Sequence, residues 1–428
     1  MEQSKTTGGI KISTFTTLMR NFWKVVFFLL LSILILFFTS CTPQTQTHLS
    51  NEDFWTGSDG LSFSFIDENP PETVYEETPF TIALQVENLG AHTLTGFMTL
   101  SIEDDYLCLV DENNECSTFT AVDTQTLSIK SEIEDYYAAI DQYTKDLAAT
   151  TDADEQNTLR REIQTARKNI ETLKDSVPVR NPYKTRLFSL EGKSIFNYEG
   201  GSDIISYKAK AKSAGALSES HEVTVVATGC YEYTTTWNQN ICIDTNVNNM
   251  MVFPGSCKTE DIGLTDQGAP VAITEIKPTM LPTGDGYLRP MFQIYVSNVG
   301  NGNVINKDKT QQACTATGLN SKDYNMVFLK SFVLSSQDIS YDFNGYDPKT
   351  GKELNPGTDG DFISCSPNPL ILKDTGNDYI TCVLNEGLTL DQFSLNQAPY
   401  MTQLSVQLDY GYTLSQSKTM TIQKILTY

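Results

Sequence analysis

Acid–base chemistry in this chain of 428 residues would depend on very few histidines. The three are His48, His92 and His221, and none is flanked by a nucleophile motif. A Ser-His-type mechanism needs a positioned base beside an activated hydroxyl or thiol. The sequence also lacks the G-x-S-x-G, P-loop and HExxH patterns that carry hydrolytic or nucleotide chemistry. The histidines therefore predict no nucleophilic catalysis.

Carboxylates are abundant, and two acidic runs have the residue types of a glycosidase acid–base pair. The runs are Glu103-Asp104-Asp105 and Asp111-Glu112. A chain with 53 acidic residues places such pairs in many solvated loops, so their presence carries little information. The sequence predicts a protein that is not an enzyme and needs no cofactor.

Calcium is the metal that best fits the remaining polar clusters. Its candidate ligands are Asp342, Asn344, Asp347, Asp359 and Asp361. Carboxylate and amide oxygens in glycine-rich loops are typical of calcium sites. The spacing lacks the twelfth-position glutamate of an EF-hand, and the same residues are common in ordinary turns. A calcium-dependent ligand site stays open beside the turn interpretation.

Aromatic residues are concentrated between Cys230 and Cys242, a segment that we interpret as a disulfide-closed loop. Tyr231, Tyr233 and Trp237 lie in it. Exposed tyrosine and tryptophan side chains often form binding patches, and they are also ordinary strand residues. A surface that binds glycans is therefore an alternative function.

Cysteine usage indicates an oxidising compartment. Beyond Cys41, eight cysteines remain: Cys108, Cys116, Cys230, Cys242, Cys257, Cys314, Cys365 and Cys382. An even set in an exported protein predicts disulfides, whose connectivity the sequence alone does not determine. Pairing between sequence neighbours would give 108–116, 230–242, 257–314 and 365–382.

The hydrophobic run Val25–Phe38 indicates export. Basic residues precede it, which favours a cytoplasmic N-terminus. Residues 38–41, Phe-Thr-Ser-Cys, resemble the lipobox of prokaryotic lipoproteins, which predicts lipidation of Cys41. The alternative is an uncleaved N-terminal anchor. Both place residues 42–428 on the extracytoplasmic face of the cell membrane.

The net charge of −23 argues against nucleic acid and anionic lipid head groups as partners. The expected partners are the membrane, through the N-terminal segment or its lipid, and another envelope protein.

Sequence periodicity predicts a mainly β protein: tandem Ig-like β-sandwich domains with an inserted antiparallel α-helical hairpin, after an N-terminal hydrophobic membrane segment. The predicted division is 1–41 signal or anchor, 42–50 tether, 51–242 first sandwich, 243–267 linker and 268–428 second sandwich. Alternating apolar residues predict the strands. Heptad seams at 126–177 predict the hairpin, which either packs along the sandwich or protrudes towards a partner.

A repeated motif links the two halves. Val86-Glu-Asn88-Leu-Gly90 matches Val296-Ser-Asn298-Val-Gly300, and residues 404–422 follow the layout of residues 207–225, with a polar stretch between two strands. This pattern resembles the CARDB-type Ig-like domains of prokaryotic surface proteins. The resemblance implies non-enzymatic adhesion, scaffolding or envelope assembly, by analogy of fold.

Overall fold

The computed structural model describes residues 56–111, 113–117, 122, 124–177, 184–194, 197–213, 218–245, 255–265, 267–283, 287–315, 318–334, 339–342, 363–373, 378–384, 388–389 and 398–425. The strands are β1 Leu61–Phe65, β2 Thr73–Tyr75, β3 Pro79–Asn88, β4 Leu94–Ser101, β5 Leu107–Leu109, β6 Thr185–Leu190, β7 Ser202–Ala211, β8 Ser220–Ile243, β9 Ile262–Gly263, β10 Val271–Pro282, β11 Tyr287–Asn298, β12 Asn303–Ile305, β13 Met326–Leu334, β14 Ile339–Asp342, β15 Ile363–Ser366, β16 Leu370–Ile371, β17 Asp378–Leu384, β18 Leu388–Thr389 and β19 Tyr400–Gln423. The helices are α1 Thr124–Ala149, α2 Ala153–Ser176 and the short α3 Thr310–Ala313, with 3₁₀ turns at Lys307–Lys309 and Ser321–Asp323.

The described strands form three sheets, which confirms a mainly β fold. The four-stranded sheet has the order β1-β3-β7-β5, and the six-stranded sheet contains β15-β17-β11-β10-β9. The nine-stranded sheet runs β14-β13-β19-β8-β4-β6. Neighbouring strands are antiparallel, except that β2 joins β19 in parallel. This arrangement is consistent with β-sandwich packing.

Two very long strands connect the halves of the chain. β8 and β19 have 24 residues each and pair without a break, from Ile243 opposite Tyr400 to Ser220 opposite Gln423. Along β8, the odd-numbered residues from Val223 to Trp237 are buried, as the period of two in a strand requires. The strand pair therefore spans both predicted domains.

Two expectations about these strands are wrong. The segment between Cys230 and Cys242 is part of β8 rather than a loop, because its alternation and its three consecutive threonines, Thr234–Thr236, suit a pleated strand. The polar stretch around Ser415 and Ser417 does not interrupt β19, because these residues pair with Thr228 and Val226 of β8.

One hydrophobic cluster draws residues from both halves of the chain. It includes Ile82, Leu84 and Val225 from the first half and Phe292 and Leu408 from the second. The described residues from 56 to 425 belong to one compact unit. The division into sandwiches at 51–242 and 268–428 stays a prediction, and the shared sheet shows that the two halves are joined edge to edge.

Helices α1 and α2 lie where the heptad seams occur and pack against each other. Their buried side chains are Ile129, Ile133, Ile140 and Leu147 of α1 and Ile163, Ala166 and Ile170 of α2. Asp152 caps α2 by accepting hydrogen bonds from the backbone N–H groups of Asp154 and Glu155, at 2.9 and 3.0 Å. A cap of this kind stabilises a helix by about 1 kcal/mol.

Helices α1 and α2 contact strands β6 and β8 and the residue that follows β6. Lys130 lies 3.5 Å from Glu232 of β8, and Arg167 Nε donates to Glu191 at 2.7 Å. Leu187 of β6 packs against the helix seam. None of the helices in the described part of the chain is long and apolar enough to cross a membrane. The hydrophobic run 25–38 and Cys41 lie outside the described residues.

Candidate functional site

The structure brings Glu103 and His221 together, which the sequence did not predict. Glu103 Oε1 accepts a hydrogen bond from the backbone N–H of Thr224 at 2.8 Å, and its Oε2 lies 4.0 Å from Nε2 of His221. The imidazole stacks on the Tyr106 ring with centroids 3.7 Å apart. These contacts hold the start of β8 against the end of β4.

Two of the other candidate carboxylates, Asp104 and Asp111, also have structural partners. Asp104 pairs with Lys184 at 3.0 Å, and Asp105 is exposed. Asp111 accepts hydrogen bonds from the N–H groups of Asn113 and Glu115, at 2.8 and 2.9 Å, within the loop closed by Cys108 and Cys116. Glu112 lies outside the described residues. Glu103, Asp104 and Asp111 therefore stabilise turns and connect neighbouring segments.

The calcium candidates fall almost entirely outside the described residues. Asp342 ends strand β14, and its side chain is not described. Asn344, Asp347, Asp359 and Asp361 lie beyond the described segments. Among the residues that the structure describes, no group of three or more His, Cys, Asp or Glu side chains is placed to hold a metal ion.

The aromatic patch expected around Cys230–Cys242 is not a surface. Tyr231, Tyr233 and Trp237 are 1, 2 and 6 % exposed, because all three occupy core-facing positions of β8. The interpretation as a binding patch at these residues is wrong, and the interpretation as ordinary strand residues is correct.

Four tyrosines of the two long strands instead form a buried tyrosine ladder, comprising Tyr231 and Tyr233 of β8 and Tyr410 and Tyr412 of β19. Tyr233 is directly opposite Tyr410, and Tyr231 is opposite Tyr412. Their hydroxyls form hydrogen bonds with backbone groups of Leu61, Gly268, Val271 and Gly302. Burial raises the pKa of all four phenols, that of Tyr412 to about 12.

The repeated Asn-x-Gly motif meets this ladder in both halves. Asn88 accepts from Gly90 N–H at 3.0 Å and donates to His92 O at 2.8 Å, whereas Asn298 donates to Gly302 O at 2.9 Å. The asparagines therefore bond nearby backbone, as expected from the sequence.

The glycines of the motif allow tyrosine hydroxyls to approach closely. A Cβ on Gly90 would overlap the Tyr233 hydroxyl, and a Cβ on Gly300 would lie 2.6 Å from the Tyr412 hydroxyl. The sequence motif alone did not identify these tyrosines, because they come from strands more than 100 residues away.

All eight cysteines that follow Cys41 are in disulfides, which confirms that these cysteines pair with one another. The pairs are Cys108–Cys116, Cys230–Cys314, Cys242–Cys257 and Cys365–Cys382. The expected pairs 230–242 and 257–314 are wrong. Cys230 and Cys242 belong to one extended strand, where residues twelve positions apart are too distant to bond at about 3.3 Å per residue.

Two clefts lie between the helices α1 and α2 and the strands β6 and β7, with volumes of about 200 and 280 Å³. Arg186 lines the first, with its guanidinium carbon 5.5 Å from the centre of the Tyr207 ring. Burial lowers the pKa of this guanidinium. Lys174 lines both clefts. The clefts lie where the two helices contact β6 of the nine-stranded sheet and β7 of the four-stranded sheet.

A pair of aromatic side chains, one half-buried and one exposed, lies on the six-stranded sheet. Tyr295 of β11 is directly opposite Tyr379 of β17, with ring centroids 5.1 Å apart and planes tilted by 43°. Both residues alternate with buried neighbours, so their rings project from the outer face of the sheet. A large aromatic at an outward position of an alternating strand is a signal that sequence analysis missed.

A scan against protein-family models finds no match to this chain, and a search of curated proteins finds no similar sequence.

Proposed function

We propose that this protein is tethered to a cell membrane and acts outside the cytoplasm as a non-enzymatic adhesion, scaffold or envelope-assembly module. The observation that carries the proposal is the complete pairing of the eight cysteines after Cys41. Disulfides form and persist in oxidising compartments and are rare in the cytosol. A chain that depends on four of them fits an exported protein.

The hydrophobic run before Cys41 supports the same placement. Residues 25–38 have the length of a signal-peptide core, and basic residues precede them. Two forms of tether remain open: a lipid on Cys41 after cleavage, or an uncleaved N-terminal anchor. In both forms, the folded part of the chain is attached at its N-terminal end to the outer face of the membrane.

The β-rich part is proposed to be a tandem of Ig-like sandwiches of the CARDB type. The support is the repeated Asn-x-Gly turn, which meets a buried tyrosine at Gly90 and again at Gly300. The fold supplies a rigid body, and its role as a scaffold follows only by analogy.

The helices α1 and α2 are proposed to form an antiparallel hairpin that presents a polar surface to another envelope protein. The buried apolar residues of the two helices pack against each other, whereas the charged side chains near the turn between the helices are exposed. These exposed residues are Asp141, Lys145, Arg160 and Arg161. Lys130, near the start of α1, and Arg167, near the middle of α2, form ion pairs with Glu232 and Glu191. A hairpin fixed at its base and polar at its tip fits a partner that binds through charges and hydrogen bonds.

Shortening the hairpin by matched segments tests this role. Deleting residues 141–147 from α1 and 155–161 from α2 removes seven residues from each helix, which preserves the heptad seam. The cap at Asp152 is kept, because Glu162 takes the place of Glu155 two positions after Ala153. We expect an unchanged thermal unfolding midpoint for the β body and loss of the partner in cross-linking of intact cells.

The matched control keeps the length and alters a proximal position, Glu134→Gln, which lies beside Lys130. This variant should retain the cross-linked partner. Cross-linking that survives the shortened hairpin would reject the arm as the partner site, while leaving the membrane placement untouched.

A further inference from the structure

We propose that the outer face of the six-stranded sheet is a binding platform for neutral polysaccharide, with Tyr379 as its stacking ring. The platform is defined by Glu275 and Lys277 of β10, Gln293 and Tyr295 of β11, and Tyr379 and Thr381 of β17. A pyranose ring has an apolar C–H face that stacks on aromatic rings and hydroxyls at its edge that need hydrogen-bond partners. The sheet face offers both kinds of group side by side.

The two rings have different roles. The ammonium of Lys277 lies 4.6 Å from the centre of the Tyr295 ring, a cation–π distance, so Tyr295 is fixed within the sheet. Tyr379 is 40 % exposed and leans on Tyr295. The inner ring therefore positions the outer one, which remains available to a ligand. Tyrosine is enriched at recognition surfaces because its rigid ring loses little entropy on binding.

Hydrogen-bonding side chains lie beside the rings on the same face. Gln293 is opposite Thr381 in the β11–β17 ladder and opposite Lys277 in the β10–β11 ladder. All three alternate with buried residues and share the outward direction of Tyr295 and Tyr379. Directly opposite residues in antiparallel strands have Cβ atoms about 5 Å apart. Amide and hydroxyl groups at this spacing match the hydroxyls of successive sugar edges.

The charge of the platform selects a neutral ligand. The two charged residues of the platform form an ion pair, in which Lys277 Nζ lies 3.0 Å from a carboxylate oxygen of Glu275. The chain as a whole carries a net charge of −23 and repels acidic polymers. A locally neutral face in such a chain fits an uncharged, hydroxyl-rich polymer better than a uronate or a sulfated glycan.

A neutral polysaccharide would be the ligand of the proposed surface protein. This inference rests on the proposed function, because it assumes that the sheet face is exposed outside the cell. Binding itself is measured on the purified protein. A failure to bind glycans is therefore distinguishable from a failure of the membrane placement.

The test uses the full-length protein in a detergent without a sugar head group. It is applied to an array of neutral glucan, mannan and galactan oligosaccharides beside acidic uronate oligomers. The variant Tyr379→Val removes the ring and keeps a strong strand former, while Tyr379→Phe keeps the ring. Tyr324→Val is the matched control, because Tyr324 is 41 % exposed outside the platform.

We expect the wild type to bind a neutral class, Tyr379→Val to bind it roughly tenfold more weakly, and Tyr379→Phe and Tyr324→Val to bind it within about twofold. Thermal unfolding of each variant separates binding from the small stability effect of a cross-strand pair. The proposal is overturned if the wild type binds only acidic oligomers or none. It is equally overturned if Tyr379→Val binds as the wild type does or if Tyr324→Val shows the same loss.

Discussion

Tyr233 and Tyr410 face each other across the β8–β19 ladder with ring centroids 5.9 Å apart, and both hydroxyls bond residues that open the second half of the chain. Tyr233 donates to the carbonyl of Gly268, whereas Tyr410 accepts from the N–H of Val271 at 3.2 Å. Thr235 completes the junction by donating to Val271 O at 2.6 Å. The start of β10 is thereby fixed to both long strands.

Removing the Tyr410 hydroxyl should destabilise this junction. Tyr410→Phe leaves the buried N–H of Val271 without its acceptor, which costs about 1–3 kcal/mol. Urea denaturation should show this loss of unfolding free energy. Tyr75→Phe is the control, because Tyr75 is 51 % exposed, and it should stay within about 0.5 kcal/mol of wild type. Equal stability of the two variants would show that the Tyr410 hydroxyl does not stabilise the junction.

The repeated glycines should tolerate no Cβ. Gly90→Ala and Gly300→Ala would push a methyl group into the hydroxyls of Tyr233 and Tyr412. Overpacking of this kind lowers the free energy of unfolding by about 1–3 kcal/mol. Gly263→Ala meets no atom within 4 Å and should change stability little. A loss at Gly263 as large as at the other two positions would contradict the close-approach explanation.

The disulfides should contribute unequally to the free energy of unfolding. Cys230–Cys314 links residues 84 apart, whereas Cys108–Cys116 links residues 8 apart. In the chain-entropy model, closing the longer loop stabilises by about 4–5 kcal/mol and the shorter by about 2–3 kcal/mol. Paired Cys→Ala variants, compared by urea denaturation without reductant, should preserve this order. The reverse order would show that native-state packing, rather than loop closure, sets their contributions.

Alkaline pH should unfold the protein cooperatively. Burial raises the pKa of Tyr412 to about 12 and raises that of Tyr207 and of the rest of the ladder, Tyr231, Tyr233 and Tyr410. Unfolded tyrosine has a pKa of about 10. Above pH 10 the unfolded state loses protons that the folded state keeps, so the unfolding free energy falls as pH rises. Below pH 10 this contribution is fully present.

Alkaline unfolding can be checked by following tyrosinate absorbance and far-UV circular dichroism together from about pH 9 to pH 12. A fraction of the 20 tyrosines should ionise only together with the loss of β structure. Complete ionisation near pH 10 with the β signal intact would contradict the buried ladder.

Local patterns in the sequence were sufficient to predict much of the fold. Alternation at Phe80–Val86 and at Phe292–Val296 predicted strands, and these residues lie in β3 and β11. Helices α1 and α2 lie where residues spaced by three and four form seams, because helical periodicity is a property of neighbouring residues. The mainly β class follows from the same short-range signals.

Long-range pairing was not predictable in this way. The bond from Cys230 to Cys314 depends on how α3 packs beside β8, and sequence neighbours gave the wrong partner for both cysteines. The cysteines that flank Trp237 indicate a closed loop, whereas the structure places Trp237 in β8. The exposed Tyr379 was missed because a single aromatic in a strand does not show which face it occupies until the register is known.

The proposed membrane tether and oxidising compartment can be tested together by the intact mass of the protein, extracted from membranes without reductant and with free thiols alkylated. We expect membrane-bound material with no alkylation at the eight cysteines after Cys41. The chain should either begin at a lipid-bearing Cys41 or retain residues 1–40. Protein found free in the cytosol, with all eight of these thiols alkylated, would rule out the membrane placement.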